Sequence, residues 1–373
     1  MNGEPKISNV EEINNVLKFT LSNTNISFAN GIRRVLLSEV PSIVFKTTPY
    51  SENRVLISVN KSRLNNELIK QRISCIPIHI NNVYDFPYQN YLVELDVSND
   101  TNVNIYATTG DFKIKNTETN NYLDRSEVKK LFPPDPITGD YINILRLRPR
   151  INETSGLEQI KFEATLTIAT ANEDSTFNVV CTAAYGNTLD PVKIKDGWEE
   201  KELTLKSKSV TSEEIEFVKK DWMLLDAKRM FKNNSYDFVI ETVGIYTNFE
   251  LMDSATGILI QKLYTTLESL KNEPDLISDA IDTLENSYII VLKNEDYTVG
   301  KIIEYKLFSK YFQEENMLNY VGFLKKHPHD KDSFIKIAAK NILSKDEIIS
   351  MVEDCVNSSI ELIIVIKKYF ASV

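Results

Sequence analysis

Two adjacent arginines, Arg33 and Arg34, stand in the segment from Ser27 to Val40, whose apolar residues recur at helical spacing. A guanidinium is a planar fork that can hold a carboxylate or several carbonyls at once, so an arginine pair on a helix suits either a solvated face or recognition of another protein. The other reactive residue types are scattered. His327-Pro328-His329 places two imidazoles close in sequence, but the remaining histidine is His79, and no metal site is read from them. Cys75, Cys181 and Cys355 are odd in number, far apart and without a C-x-x-C pair, which argues against a disulfide framework or an ordinary zinc site. Gly300 precedes a helical pattern, yet no G-x-x-x-x-G-K-[ST] run accompanies it. Asp135 and Asp140 lie in a Pro/Gly-rich loop and read as turn formers, whereas two-metal phosphoryl transfer needs clustered aspartates. The pattern implies binding without catalysis, and no cofactor.

The arginines need a helix to present them. Phe28, Ile32, Val35, Leu36 and Val40 mark one face of a helix over 27–40, and Pro41 ends it. Residues 7–21 before it read as strand-rich. From 47 to about 160 short strand-like stretches (54–59, 91–97, 102–107) alternate with Asn-, Asp- and Pro-rich turns. Residues 162–169 alternate as a half-buried strand. A helix over 211–231 opens with the capping pattern Thr211-x-x-Glu214. A strand over 236–243 and a long amphipathic helix over 248–270 follow, stopped by Lys271-Asn272-Glu273-Pro274. The remainder repeats the order: a strand at 287–292, a helix carrying Val299 and Ile303, a strand at 334–338, and a final helix over 344–370 with Val352, Val356, Ile360 and Ile363 in its stripe. Two long helices with apolar faces must cover them, either against each other or each on the sheet of its own domain. A seam of several hundred Å² between them would contribute on the order of 10 kcal/mol before entropy costs.

The 373 residues suit two or three domains, and 42% hydrophobic residues suffice for buried cores. A net charge of −10 without a Lys/Arg run counts against autonomous nucleic-acid binding. The polar start and the lack of a spanning apolar run predict a protein away from membranes, and the cysteine usage suits a reducing compartment.

Two stretches carry a resemblance. In Leu21 to Phe45 the residues Ala29, Asn30, Ile32, Arg33, Arg34, Val35, Leu36, Glu39, Val40 and Pro41 match the A-N-x-[LI]-R-R-x-[LM]…E-[VI]-P signature of the alpha-subunit family of RNA polymerases. Asn66 to Ile78 looks like that family's N-E-x-[LI]-x-x-R element, with Gln71 where His is usual before Arg72. Glu295, Asp296, Thr298, Val299, Gly300, Ile303, Tyr320, Gly322, Phe323, His327 and Pro328 resemble the smaller alpha-like partner of archaeal and eukaryotic enzymes, with Tyr297 and Lys301 departing from His and Asn. A Cys-rich metal segment common in the family's first half is absent, and Thr170 to Asn178 matches its G-x-G loop poorly.

The resemblance implies an α+β chain of two alpha-like dimerisation domains paired intramolecularly, as in the fused subunits of large DNA viruses. Residues 1–46 and 160–271 would form the first, with a mostly β insertion at 47–159. A linker at 272–286 would lead to the second at 287–373. The implied role is a non-catalytic assembly platform of a DNA-directed RNA polymerase in the cytoplasm. Its implied partners are the beta-like and beta-prime-like large subunits, with small accessory subunits as further candidates, and neither a homodimer nor direct DNA or RNA binding is expected. Arg33, Arg34, Asn30, Glu39, Arg72, Tyr320 and His327 are the implied large-subunit contacts, Arg34 above all. Ile258, Leu263, Leu267, Val299, Ile303, Val352, Val356, Ile360 and Ile363 are the implied packing between halves. The competing readings are a nucleic-acid-binding transcription or processivity factor and an enzyme with a site in the β insertion.

Overall fold

The computed structural model describes residues 3–150, 156–208, 210–280 and 284–371. Parts of the expected insertion (151–155) and linker (281–283) therefore lie outside the described residues. In chain order the elements begin with β1 (Lys6–Ile13), β2 (Val16–Ser22) and α1 (Ile26–Ser38). Next come β3 (Ser42–Val44), β4 (Val55–Asn60), α2 (Asn66–Ser74), β5 (Tyr91–Asn99), β6 (Ile105–Thr108) and β7 (Lys113–Asn116). They are followed by α3 (Arg125–Leu131), β8 (Asn143–Leu147), β9 (Glu158–Thr165) and β10 (Thr167–Ala169). Then follow β11 (Val180–Leu189), α4 (Pro191–Ser207), α5 (Ser212–Leu224), β12 (Phe231–Thr242) and α6 (Asn248–Asn272). The chain closes with β13 (Ile277–Asp279), β14 (Ser287–Leu292), α7 (Tyr297–Leu307), β15 (Leu318–Leu324), β16 (Ser333–Ala339) and α8 (Lys345–Ala371).

These elements fall into two compact units. The first comprises Met1–Val35, Thr182–Glu241 and Met252–Val373; the second comprises Leu36–Cys181 and Thr242–Leu251.

The first unit holds two four-stranded sheets, ordered β1-β2-β12-β11 and β13-β14-β16-β15. Numbered along its own segment, each sheet reads first, second, fourth, third. Each has a helix after its second strand (α1, α7) and a long helix after its fourth (α6, α8). Alternation builds the inner faces: Leu17, Phe19 and Leu21 of β2 are buried, as are Tyr288, Ile290 and Leu292 of β14. The long helices start with the same reciprocal cap. Thr247 N donates to Glu250 Oε2 at 2.8 Å while Glu250 N donates to Thr247 Oγ1 at 3.2 Å. Ser344 N and Glu347 do likewise at 2.7 and 3.2 Å.

The two connections between the third and fourth strands differ. β15 and β16 are joined by a short turn, whereas β11 and β12 are joined by the hairpin of α4 and α5. That hairpin has its own small core of Trp198, Trp222 and Ala227. The sequence reading ran one helix from 211 to 231. Its Thr211–Glu214 cap is present, but α5 stops at Leu224, and the chain must extend from Phe231 so that Ser235 can pair with Ser22 in the sheet.

The second unit is built on the sheet β4-β9-β5-β7, the ribbon β6-β8 and the pair β3-β10. Phe45, Phe112, Phe132 and Phe162 cluster at its centre, with Phe112 and Phe132 ring centroids 4.9 Å apart. Its main span, 36–181, is wider than the expected insertion. β3 pairs with β10, and Lys46 bridges Glu52 and Glu173 at 2.6 and 2.7 Å, so both flanking segments join the unit. It also carries the helices α2 and α3, where the sequence reading placed strands and turns. Among the described residues, no helix is long and apolar enough to cross a membrane.

Candidate protein interface

The arginine pair sits in the first unit, on α1. Both α1 and α7 begin by one device. Asn23 adopts a left-handed φ of 60°, and two residues on Asn25 Oδ1 accepts from Ser27 N at 2.9 Å. Asn294 has φ 54°, and Asp296 Oδ1 accepts from Thr298 N at 2.8 Å. Asparagine tolerates that backbone region, and Asn or Asp satisfies the orphan N–H groups of a first turn.

The two helices meet. A methyl group placed on Gly31 of α1 would lie 3.1 Å from Ile302 Cδ1 on α7 and 3.5 Å from Leu259 Cδ2 on α6, so this glycine marks a close approach. Counting from Asn25 and Asp296, Gly31 and Ile302 are equivalent positions. A contact between equivalent positions is what a local two-fold axis produces. Around it, Phe28 packs edge-on against Tyr305 at 6.4 Å, and Lys306 Nζ stands 5.9 Å above the Phe28 ring. Burial pulls the Lys306 ammonium below the usual lysine range, against the opposing pull of Cys355, Asp354, Glu361 and Glu314.

Arg34 Nε donates to Thr298 Oγ1 at 2.9 Å, and its Nη2 pairs with Asp296 Oδ2. Burial pushes the Asp296 carboxyl up. The Thr298 N–H and hydroxyl, together with the Arg34 charge, outweigh that and leave it below the ordinary aspartate range. The preceding residue, Glu295, pairs with Lys262 of α6 at 3.3 Å. Both acids of the Glu295-Asp296 dipeptide thus take a cation from the chain before residue 272. Arg34, expected to reach outward to a large subunit, has its guanidinium occupied inside the chain. The reason is its position on α1, level with the N-terminus of α7, where the Asp296 cap supplies a carboxylate and Thr298 a hydroxyl.

The long helices run antiparallel along one another. Lys367 of α8 reaches Asp253 of α6 at 2.6 Å, and Lys271 of α6 reaches Glu353 of α8 at 2.5 Å. Phe370 of α8 packs edge-on against Phe19 of the first sheet, 5.2 Å between centroids. Leu263, Leu267, Val299, Ile303, Val352, Val356, Ile360 and Ile363 are all buried. Ile258 is only half-buried, and its neighbour Leu259 takes the buried place that the sequence reading gave it. The shorter helix α7 also packs on α8. Burial pushes the Cys355 thiol of α8 up to about 12, with the nearby Asp354 charge adding to the effect.

The remaining expected contacts are dispersed. Asn30 Oδ1 accepts from Arg33 Nε and Nη2 at 3.1 and 2.9 Å, so those two residues form one half-exposed group. Tyr320 on β15 is exposed, with Lys336 Nζ 5.8 Å above its ring. His327 is exposed in the turn before β16 and stacks on His329 at 5.1 Å. Glu39 and Arg72 belong to the second unit, where Arg72 Nη2 donates to Asn143 O at 3.0 Å. Among the described residues, no three His, Cys, Asp or Glu side chains group closely enough to hold a metal ion. Sequence reasoning missed Asp296 and Thr298 as the partners of Arg34. The only available signal was the matched Glu-Asp-x-Thr run itself.

A family model described as the RNA polymerase Rpb3/Rpb11 dimerisation domain matches residues 18–263, more than half of the chain. A conjugation stage-specific protein of Tetrahymena thermophila is 28% identical over 205 residues, 51% of this chain and 60% of that protein. Subunit 3B of DNA-directed RNA polymerases IV and V of Arabidopsis thaliana is 46% identical over 61 residues, 16% of this chain and 17% of that subunit. DNA-directed RNA polymerase II subunit rpb3 of Dictyostelium discoideum is 34% identical over 85 residues, 23% and 26% of the two chains. The chain thus spans less than two thirds of the length of each of these relatives.

Proposed function

Because the chain belongs to the RNA polymerase Rpb3/Rpb11 dimerisation-domain family, we propose that it is a non-catalytic assembly platform of a DNA-directed RNA polymerase. In this reading two alpha-like halves pair within one polypeptide and offer docking faces to a beta-like and a beta-prime-like large subunit. The observation that carries it is the repeated strand order of the two sheets of the first unit, with α1 and α7 meeting at equivalent positions. The family match ends at residue 263, inside α6, so the reading of the second half rests on that topology and on the Glu295 to Pro328 resemblance. The second compact unit, lying in sequence mainly between α1 and β11, is the counterpart of the expected insertion.

With Arg34 engaged internally, Arg33 and Asn30 become the members of the α1 signature left to face the beta-like subunit. Tyr320 and His327 are the exposed candidates for the beta-prime-like side. Joining the halves covalently replaces a bimolecular encounter by an internal one, at an effective concentration on the order of millimolar. A cytoplasmic, viral setting belongs to the same proposal and rests on the resemblance alone.

The experiment is affinity isolation of the tagged chain from its native source, with mass spectrometry of what is retained. Two large polymerase subunits should be recovered, and Arg33→Glu should lose the beta-like one while the chain stays folded. Recovery of both with Arg33→Glu would refute the role of Arg33. Isolation without any large subunit would refute the platform.

A further inference from the structure

The second unit carries a cluster of positive charge of which the polymerase reading uses only Arg72. A cleft of about 380 Å³ is lined by Arg63, Arg72, Arg146 and Arg148, together with Leu64, Tyr106, Asn143 and Leu145, and among the described residues no Asp or Glu lines it. In a chain of net charge −10, four guanidinium groups at one cleft are a local reversal of sign.

The arginines come from two elements that the fold brings together. Arg72 lies on α2, and Arg63 just precedes that helix; Arg146 lies on β8, and Arg148 just follows it. Tyr106 and Arg146 are register partners across the β6-β8 ribbon, so their side chains share one face. Arg148 is satisfied: its Nε and Nη2 hold Glu158 at 2.7 and 2.6 Å. Arg72 is oriented by the Asn143 carbonyl. Arg63, Arg72 and Arg146 are exposed, and among the described residues none of them forms an ion pair.

We propose that this cleft binds an acidic, apolar-spaced segment of a partner protein. Three exposed guanidinium forks call for carboxylates, which arginine can hold bidentately. The half-buried Leu64 and the exposed Tyr106 ring call for apolar side chains between those carboxylates. A single-stranded nucleic acid would satisfy the forks and stack a base on Tyr106, but as a polyanion it would run on past the cleft along an acidic chain. An extended peptide presents alternate side chains to opposite faces, so one of its faces can supply acids to the arginines. The cleft shares Arg72 with the large-subunit contacts assigned by resemblance, so the variants that test it change Arg63 and Arg146 instead. Its assay uses the isolated chain, so the two can fail independently.

The test is fluorescence polarisation of a labelled peptide of alternating Asp and Leu, with labelled oligouridylate measured in parallel. The full chain should bind the peptide more tightly than the oligonucleotide. Binding should weaken by about tenfold or more in Arg63→Ala/Arg146→Ala, whose thermal unfolding should match that of the parent. Arg146→Gln alone serves as the milder variant if the pair alters folding, and it too should bind more weakly. Absence of peptide binding, unchanged affinity in a folded variant, or tighter binding of the oligonucleotide would each overturn the proposal.

Discussion

Removing the Arg34 side chain takes away, among its contacts, the ion pair with Asp296 and the hydrogen bond to Thr298. The side chains of Arg34 and Asp296 are 32% and 34% exposed, so solvent screens the pair and a deep-burial value does not apply. A fully exposed pair would contribute about 0–1 kcal/mol, and a hydrogen bond from a charged donor about 1.5 kcal/mol or more. Arg34→Ala should therefore destabilise the first unit by about 1.5–2.5 kcal/mol. Asp296→Asn is the matched change, because Asn caps a helix about as well as Asp and leaves the bond from Thr298 N available. In a double-mutant cycle read by urea denaturation, the coupling should be about 1 kcal/mol and should shrink with added salt. The folded pKa of Asp296 is depressed, so its contribution is present above the ordinary aspartate value and is lost as pH falls through the folded value. The coupling should accordingly persist at neutral pH and fade in acid below that ordinary range. Additive single effects, within about 0.3 kcal/mol, would show that the pair does not hold α1 to α7.

Three further outcomes follow from other contacts. Gly31→Leu should destabilise the first unit by about 1–3 kcal/mol in urea melts, because Ile302 and Leu259 leave no room for it; a neutral result would mean that α1 and α7 are not in contact there. Burial lowers the His79 pKa despite the opposing Gly244 hydrogen bond, so the unfolded chain takes up the proton first as pH falls through 6.5. Stability should decline on going from about pH 7 to about pH 5, less so in His79→Phe, and the difference in urea midpoints checks it. Cys75 and Cys181 are exposed while Cys355 is buried with a thiol pushed up to about 12, so native alkylation mapped by mass spectrometry should mark the first two and spare the third.

Much of the first unit was legible in the sequence because its signals are local. The apolar stripes of α6 and α8, the Ser/Thr-x-x-Glu boxes and the alternation of β14 each lie within a few residues of chain. α4 was also readable: Asp190 followed by Pro191 is a cap-and-first-turn pattern, and Asp190 Oδ1 accepts from Val192 N and Lys193 N at 3.2 and 3.3 Å. The mixed composition of that helix hid it, since only Trp198 is buried along its length. α2 has an equally local signal, since Asn65 Oδ1 caps it by accepting from Leu68 N at 2.9 Å. What was not legible is what joins distant residues. Arg34 and Asp296 are 262 positions apart, and an arginine pair on a striped helix reads the same whether it faces a partner or another part of its own chain. The arginine cleft gathers residues from 63 to 148, none of which forms a run.

The central physical claim is that residues 287–373 occupy the pairing face which the earlier segments of the first unit, 1–35, 182–241 and 252–271, would otherwise offer to another chain. Sedimentation equilibrium of the purified protein over a wide concentration range tests it most directly. The account predicts the mass of a single chain throughout, with no concentration dependence. A reversible dimer would contradict it, because it would mean that the face is still open.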